Sequence, residues 1–141
     1  MDHVAILSKR LKLLPKILSG EKTIESRWYK FKKTPYNSIK TNDTVYFKNS
    51  GEPVSVKARV ADVLFFAKLN KKLFDDIIMR YGPKICITSS YWQQVKDKNL
   101  CTLIFLKDVK QIQPFNIDKT GFGIMAAWIT VDDINNIRRP L

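Results

Sequence analysis

The 141-residue sequence predicts one α+β domain spanning residues 1–141, a short-stranded sheet curled toward a barrel with small helices at its periphery. Three observations predict this. The length is that of a single domain able to bury a core, and 45% apolar with 11% aromatic content is too much for a disordered chain. Strand-like and helix-like apolar runs, all short, follow one another without a repeat, a low-complexity stretch or a linker. The most regular strand pattern also shifts partway along, as a bend in a barrel strand requires.

In chain order, HVAILS is an apolar run of strand length. LKLLPKILSG reads as a short helix with Pro15 in its first turn and Gly20 as its stop. KTIESRWY is a second strand rich in strand formers, and FKKTPYNSIKTND a polar loop punctuated by Pro35, Asn37 and Asn42. TVYFK is a third strand. In VSVKARVADVLFF, Val54, Val56, Ala58 and Val60 share one face and Ser55, Lys57 and Arg59 the other, until the alternation shifts at Ala61. Asn70 caps a helix carrying Leu73, Phe74, Ile77, Ile78 and Tyr81, expected to stop at Gly82-Pro83. YWQQVKDK is expected as a short helix, and CTLIFLKDVKQIQPF as one long strand or two short ones. After the GFG turn at 121–123, Thr130 is expected to cap a last helix, with Asp132 and Asp133 in its first turn and Arg138 and Arg139 in its last.

Composition excludes several function classes. No apolar run approaches the ~20 residues of a membrane span, and the acid before the first apolar stretch in MDHVAILSKR is unlike a secretory signal. The expected location is the cytoplasm, with no membrane partner. Cys86 and Cys101 lack a second Cys or His at ligand spacing, so no metal site is expected, and both read as buried small hydrophobes. His3, the single histidine, reads as belonging to a frayed terminus, out of reach as a catalytic base. Trp28, Trp92 and Trp128 read as core. The GFG turn lacks the Gly-Lys and the strand-to-helix context of a phosphate cradle, and no cofactor is expected.

Charge is the strongest global signal. The formal net charge is +12; Lys9 to Lys40 holds ten Lys or Arg against Glu21 and Glu25, a balance of +8 that leaves only +4 for the other 109 residues. A concentrated basic surface attracts polyanions through counterion release. The partner class this favours is nucleic acid, RNA before DNA.

The segment carrying chemistry is GEKTIESRWYKFKK, residues 20 to 33. Strand parity sets Glu25 and Arg27 on one face with Thr23 and Tyr29, and Lys22 at the start of the strand. Arg27 can fork onto a phosphate or base edge while Glu25 accepts from an exocyclic amine. A purely structural Glu–Arg pair pinning the strand is the bland alternative. Lys30, Lys32, Lys33 and Lys40 follow in the loop, interleaved with Trp28, Tyr29, Phe31 and Tyr36, the composition of a platform for unpaired bases. Tyr36 is the stacking candidate in the loop. Lys57 and Arg59 are further candidates for phosphate contact.

Gly20, Lys22, Thr23, Ile24, Glu25 and Arg27 resemble the G-x-K-T-x-E-x-R signature of ASCH domains, members of the PUA-like superfamily. The family's Gly-Asp pair before the next strand stands here as Asn42-Asp43; Asn tolerates the left-handed backbone that Gly supplies. The resemblance covers residues 3 to 66. It implies a PUA-like small mixed β-barrel, a pocket between barrel and first helix lined by Lys22, Glu25 and Arg27, and RNA binding. It also implies a runner-up. Small ASCH proteins resembling acetylcytidine amidohydrolases share the G-x-K-T-I-x-x-R frame with the lysine in a catalytic role, and ribonuclease activity is a related possibility. Lys22 would then act as base or nucleophile with Glu25 beside it. Those enzymes have a threonine where Glu25 stands, and a downstream glutamate for which this chain offers only Asp62 or Asp75. A third class, a non-catalytic adaptor with a bare basic face, would lose all binding at high salt.

Overall fold

The computed structural model describes residues 1–141. Strand β1 (Asp2–Leu7) leads through a 3-10 turn to α1 (Leu13–Ser19), then β2 (Ile24–Tyr29), β3 (Thr44–Asn49) and β4 (Val54–Phe66). Helix α2 (Lys71–Ile85) and the short α3 (Trp92–Val95) precede the 18-residue β5 (Leu100–Ile117), β6 (Trp128–Val131) and the two-residue β7 (Arg138–Arg139). Local chemistry accounts for several of these boundaries. Pro15 sits in the first turn of α1, and Gly20, at φ 83°, ends it in the left-handed conformation a Cβ would resist. The Asn70 side chain accepts from the Leu73 amide at 2.8 Å and caps α2.

The strands form one mixed sheet in the order β2-β5-β4-β3-β1-β6, with β7 appended to the end of β5. β1 runs parallel to β3, and every other pairing is antiparallel. The β4–β5 ladder shifts register at Val54/Val56, Lys57/Arg59 and Val60/Asp62, the last where the sequence alternation breaks. These irregularities curl the sheet into a half-barrel. Its interior holds Ala5, Leu7, Val45, Phe47, Val56, Ala58, Val60 and Ile104, and Leu14 and Ile17 of α1 pack against them. A second cluster joins Phe74, Ile77 and Ile85 of α2 to Ile24, Cys101 and Leu103. A third packs Ile134 and Ile137 of the C-terminal segment onto Val4, Val54 and Phe115.

Four expectations change. Thr130 caps no helix but lies inside a strand, Trp128–Val131, because an apolar WITV on the open edge of β1 gains a ladder; the residues expected as the last helix form only a 3-10 turn at Ile134–Asn136, capped by Asp133, and the two-residue β7. Helix α2 runs past Gly82-Pro83 to Ile85 and ends at Cys86 with φ 67°. The predicted YWQQVKDK helix keeps only Trp92–Val95, after a 3-10 turn at Ser89–Tyr91. His3 is fully buried within β1, not frayed. Asn42, at φ 75°, does adopt the left-handed conformation.

Candidate binding cleft at the barrel seam

The two outermost strands of the sheet, β2 and β6, do not pair with each other, and the seam between them is spanned by Arg27. Its guanidinium donates to the Ala127 carbonyl at 3.2 Å and reaches the Ile6 carbonyl at 3.5 Å. The same group lies 5.1 Å from the ring centre of Trp128. A cleft of about 660 Å³ opens along this seam. The start of the chain supplies Ser8, Leu11, Leu13 and Lys16 to one wall, and the segment from Ile85 through Lys98 supplies the other.

Lys22, Glu25 and Arg27, picked out by the sequence, converge there. Lys22 is 2% exposed, and its ammonium donates to the carbonyls of Ile24 and Ile85, both at 2.8 Å. Its Nζ also lies 3.7 Å from Glu25 Oε1, and an Arg27 terminal nitrogen 3.8 Å from Glu25 Oε2. Lys22 thus ties the end of α2 to the start of β2 and sets a cation beside Glu25. A buried carboxylate is tolerated because two cations flank it. Oε1 accepts from the Ser26 amide at 3.0 Å, whereas Oε2 is buried without a hydrogen-bond partner. The Tyr29 hydroxyl is likewise buried and unpartnered. Burial raises the Tyr29 phenol above its ordinary range, with neighbouring Arg27 acting weakly in the opposite direction. It therefore stays protonated and can donate.

Other predicted residues fall in different places. Lys33 lines the cleft, its Nζ 5.7 Å from the ring centre of Tyr29. Lys30, Lys32 and Lys40 are exposed on the adjoining loop. Tyr36 packs edge-on against Phe65 and is not a cleft residue. Lys57 and Arg59 lie on β4, away from the cleft. Trp128 is core, whereas Trp28 is half-buried against Phe74 and Tyr91 and contributes to the lining. Cys101 is buried, but Cys86 is only half-buried and also lines the cleft. Asp62 and Asp75 are outside the cleft; Asp75 pairs with Lys71 on α2.

Tyr91, Thr88, Ser90, Gln94, Lys16 and Lys98 join the cleft without having been singled out in the sequence. Nothing local marks them. They arrive because Thr23 N–H donates to the Lys84 carbonyl at 3.0 Å and Lys22 holds Ile85, docking the end of α2 beside β2.

Neither the protein-family models nor the curated proteins contain a match to the chain. Solved structures do. The ASCH protein of Zymomonas mobilis superposes with TM-score 0.69 at 15% identity, over 99% of this chain and 98% of that one. A variant of the same protein carrying a tyrosine-to-phenylalanine change superposes with TM-score 0.70 at 16% identity, over 96% and 93% of the two chains. The chain has the α+β, PUA-like fold of these ASCH structures.

Proposed function

We propose that the chain binds RNA through the seam cleft, holding one unpaired nucleotide there. The observation that carries this reading is the pair of buried, unpartnered polar atoms, Glu25 Oε2 and Tyr29 OH, on residues lining one cleft. Each such atom costs about 1–3 kcal/mol when left unsatisfied, a cost removed when a small rotation of its side chain turns it toward a ligand in the cleft with matching polar groups. A base edge presenting an exocyclic amine satisfies the Glu25 acceptor, and the phenol can donate to a ring nitrogen or carbonyl. Half-buried Trp28 and Tyr91 supply aromatic faces, and Lys16, Lys33 and Lys98 supply cations for the sugar-phosphate. Lys30, Lys32 and Lys40 extend the basic rim along the loop. RNA is favoured over DNA because its loops and bulges present unstacked bases.

The bonding of Lys22 favours binding over catalysis. Its amine is committed to two carbonyls and faces Glu25, leaving no free lone pair aimed at a substrate. The purified protein is expected neither to turn over acetylated cytidine nor to cleave RNA without metal. Turnover in the parent that vanishes in a folded Lys22→Arg variant would make the cleft catalytic.

The test is a fluorescence titration with a short single-stranded RNA, competed by free nucleosides, on the parent, Glu25→Gln and Arg27→Gln. Glu25→Gln keeps the shape but loses the charged acceptor, so affinity should fall about ten- to a hundredfold. Preference among nucleosides should survive at high salt in the parent. Unchanged RNA affinity in both variants would sink the cleft reading, as would loss of all discrimination in salt.

A further inference from the structure

On β4, side chains alternate so strictly that Val56, Ala58 and Val60 fill the barrel while Lys57 and Arg59 face outward. The register then places like charges directly opposite one another. Lys57 pairs with Lys110 and Arg59 with Lys107, both across the β4–β5 ladder. None of these four cations makes an ion pair. Asp108, at the bulge between the two lysines of β5, makes none either. Like charges facing each other destabilise a sheet, so the arrangement works against the fold that contains it.

Some of these cations are also held in place. Lys57 Nζ sits 6.0 Å from the ring centre of Tyr46, and Tyr46 meets Phe115 edge-on at 5.8 Å. Arg138 lies 4.2 Å over the other ring of that pair. Arg59 donates to the Asn42 carbonyl at 3.0 Å. The acids near Tyr46, Asp2 and Asp133, are occupied by the amides of Ile134 and Asn135. Because β3 and β4 lie mid-sheet, this face looks away from the seam, and none of its residues lines the cleft.

We propose that the outer face of β3, β4 and β5 is a second binding surface, one that takes the phosphate backbone of double-stranded RNA without reading sequence. Two short columns of cations on adjacent strands offer charge and nothing else. Tyr46 is covered by Lys57 and turned edge-on to Phe115, so no ring is free to stack an unpaired base. A duplex, with its bases tucked in, presents phosphates and 2′-hydroxyls, the chemistry that the outward-facing cations of a curled sheet can engage. An anionic membrane is less suited. Interfacial binding needs several apolar side chains that enter the bilayer; of the exposed large hydrophobics only Phe65 is on these strands, at the far end of β4 from the cations and packed edge-on against Tyr36, whereas Leu11, Phe31, Ile124 and Met125 lie on other segments.

The experiment uses a blunt 20-base-pair RNA duplex, which offers the cleft no unpaired nucleotide, titrated from low to moderate salt. The variant is Lys57→Gln/Lys107→Gln/Lys110→Gln in the full chain. The parent should bind the duplex with a steep salt dependence. The variant should bind at least tenfold more weakly at low salt, with the slope reduced by about 0.9 for each phosphate it no longer neutralises. Its thermal midpoint should equal or exceed the parent's, since like-charge repulsion has been removed, and Glu25→Gln should leave duplex binding unchanged. Equal duplex affinity and slope in parent and variant would overturn the proposal. So would a parent that ignores the duplex, or one that binds phosphatidylserine vesicles through these lysines and not RNA. Single-stranded RNA binding at the cleft is read separately with Glu25→Gln, so either surface can fail alone.

Discussion

At the seam, Lys22 and Glu25 are almost wholly buried; the Lys22 ammonium donates to two backbone carbonyls beside Glu25, Glu25 Oε1 accepts from the Ser26 amide, and Glu25 Oε2 and the Tyr29 hydroxyl are left without a hydrogen bond. On the loop that follows, Lys30, Lys32, Lys33 and Lys40 stand exposed and none forms an ion pair. The two regions are neighbours in sequence and both are basic, yet they do different physical work. Buried charges are fixed in geometry and expensive to disturb, so they can discriminate between ligands. Exposed ones are mobile and screened, so they attract any polyanion and specify little. Binding strength and ligand choice should therefore separate under mutation.

The largest expected effect is at Lys22. Lys22→Ala leaves two carbonyls unsatisfied and removes one of the two cations beside buried Glu25. It should cost about 3–5 kcal/mol and lower the thermal midpoint by about 10 °C. Urea denaturation measures this directly. In the double variant Lys22→Met/Glu25→Gln, part of the loss should return, because the buried charge has gone with its partner. A strictly additive double variant would show that the pair is not coupled, and the contrast between regions would weaken.

A smaller effect follows from pH. Trp128 Nε1–H donates to His3 Nδ1 at 3.2 Å, which leaves Nε2 to carry the proton and donate to Asp43 Oδ2 at 2.8 Å. Thr130, bonded to Thr34 and through it to Ser38, also meets Nδ1 at 3.0 Å, so the neutral ring anchors the basic loop to β1 and β6. Burial lowers the His3 pKa below its ordinary 6.5 and outweighs the opposing pull of Asp43. Burial pushes Asp43 upward, but bonds from His3 and the Lys40 amide outweigh it and hold the carboxyl below its ordinary 3.8. With a lowered folded pKa, the unfolded state binds the proton first. The His3 contribution is complete above pH 6.5 and declines as pH falls below it, by at most about 1.4 kcal/mol per pH unit. The Asp43 contribution goes only in stronger acid, below its ordinary 3.8. Urea midpoints between neutral and mildly acidic pH should show the first decline, and His3→Gln should flatten it. Hydrogen exchange in residues 34–43 should rise over the same range. A parent with flat stability there would show that the ring is not the anchor.

The smallest stability effect is expected on the loop itself. Lys30→Gln/Lys32→Gln/Lys33→Gln should change folding free energy by no more than about 0.5 kcal/mol. It should still flatten the salt dependence of single-stranded RNA binding by about 0.7 for each phosphate left without its cation. Nucleoside preference should be unchanged, because Glu25 and Tyr29 remain. If the triple variant alters preference and leaves the slope alone, the division of labour is the reverse of the one described.

Much of this was legible in the residues themselves. Strand parity placed Glu25, Arg27 and Tyr29 on one face, Gly20 and Asn70 marked helix boundaries, and the alternation from Val54 to Val60 separated barrel interior from exterior. Each is a local rule whose range is a few residues, so composition and spacing suffice to read it. What the chain order could not disclose was which distant segment meets that face. Tyr91, Thr88 and Ser90 enter the cleft only because α2 runs past Gly82-Pro83 to Ile85 and docks through Lys84 and Ile85. The assignment of residues 128–131 to a strand, and of His3 to a buried hydrogen-bonded chain, depends on an open β1 edge that WITV completes. The facing pairs Lys57–Lys110 and Arg59–Lys107 are set by register shifts in β4 and β5, whose partners lie about fifty residues apart. Periodicity, capping and the excess of positive charge are written in the order of residues, because each follows from near neighbours along the chain. Which charges are buried and bonded and which face water is set by folding, because burial and register belong to segments that meet only once the chain has folded.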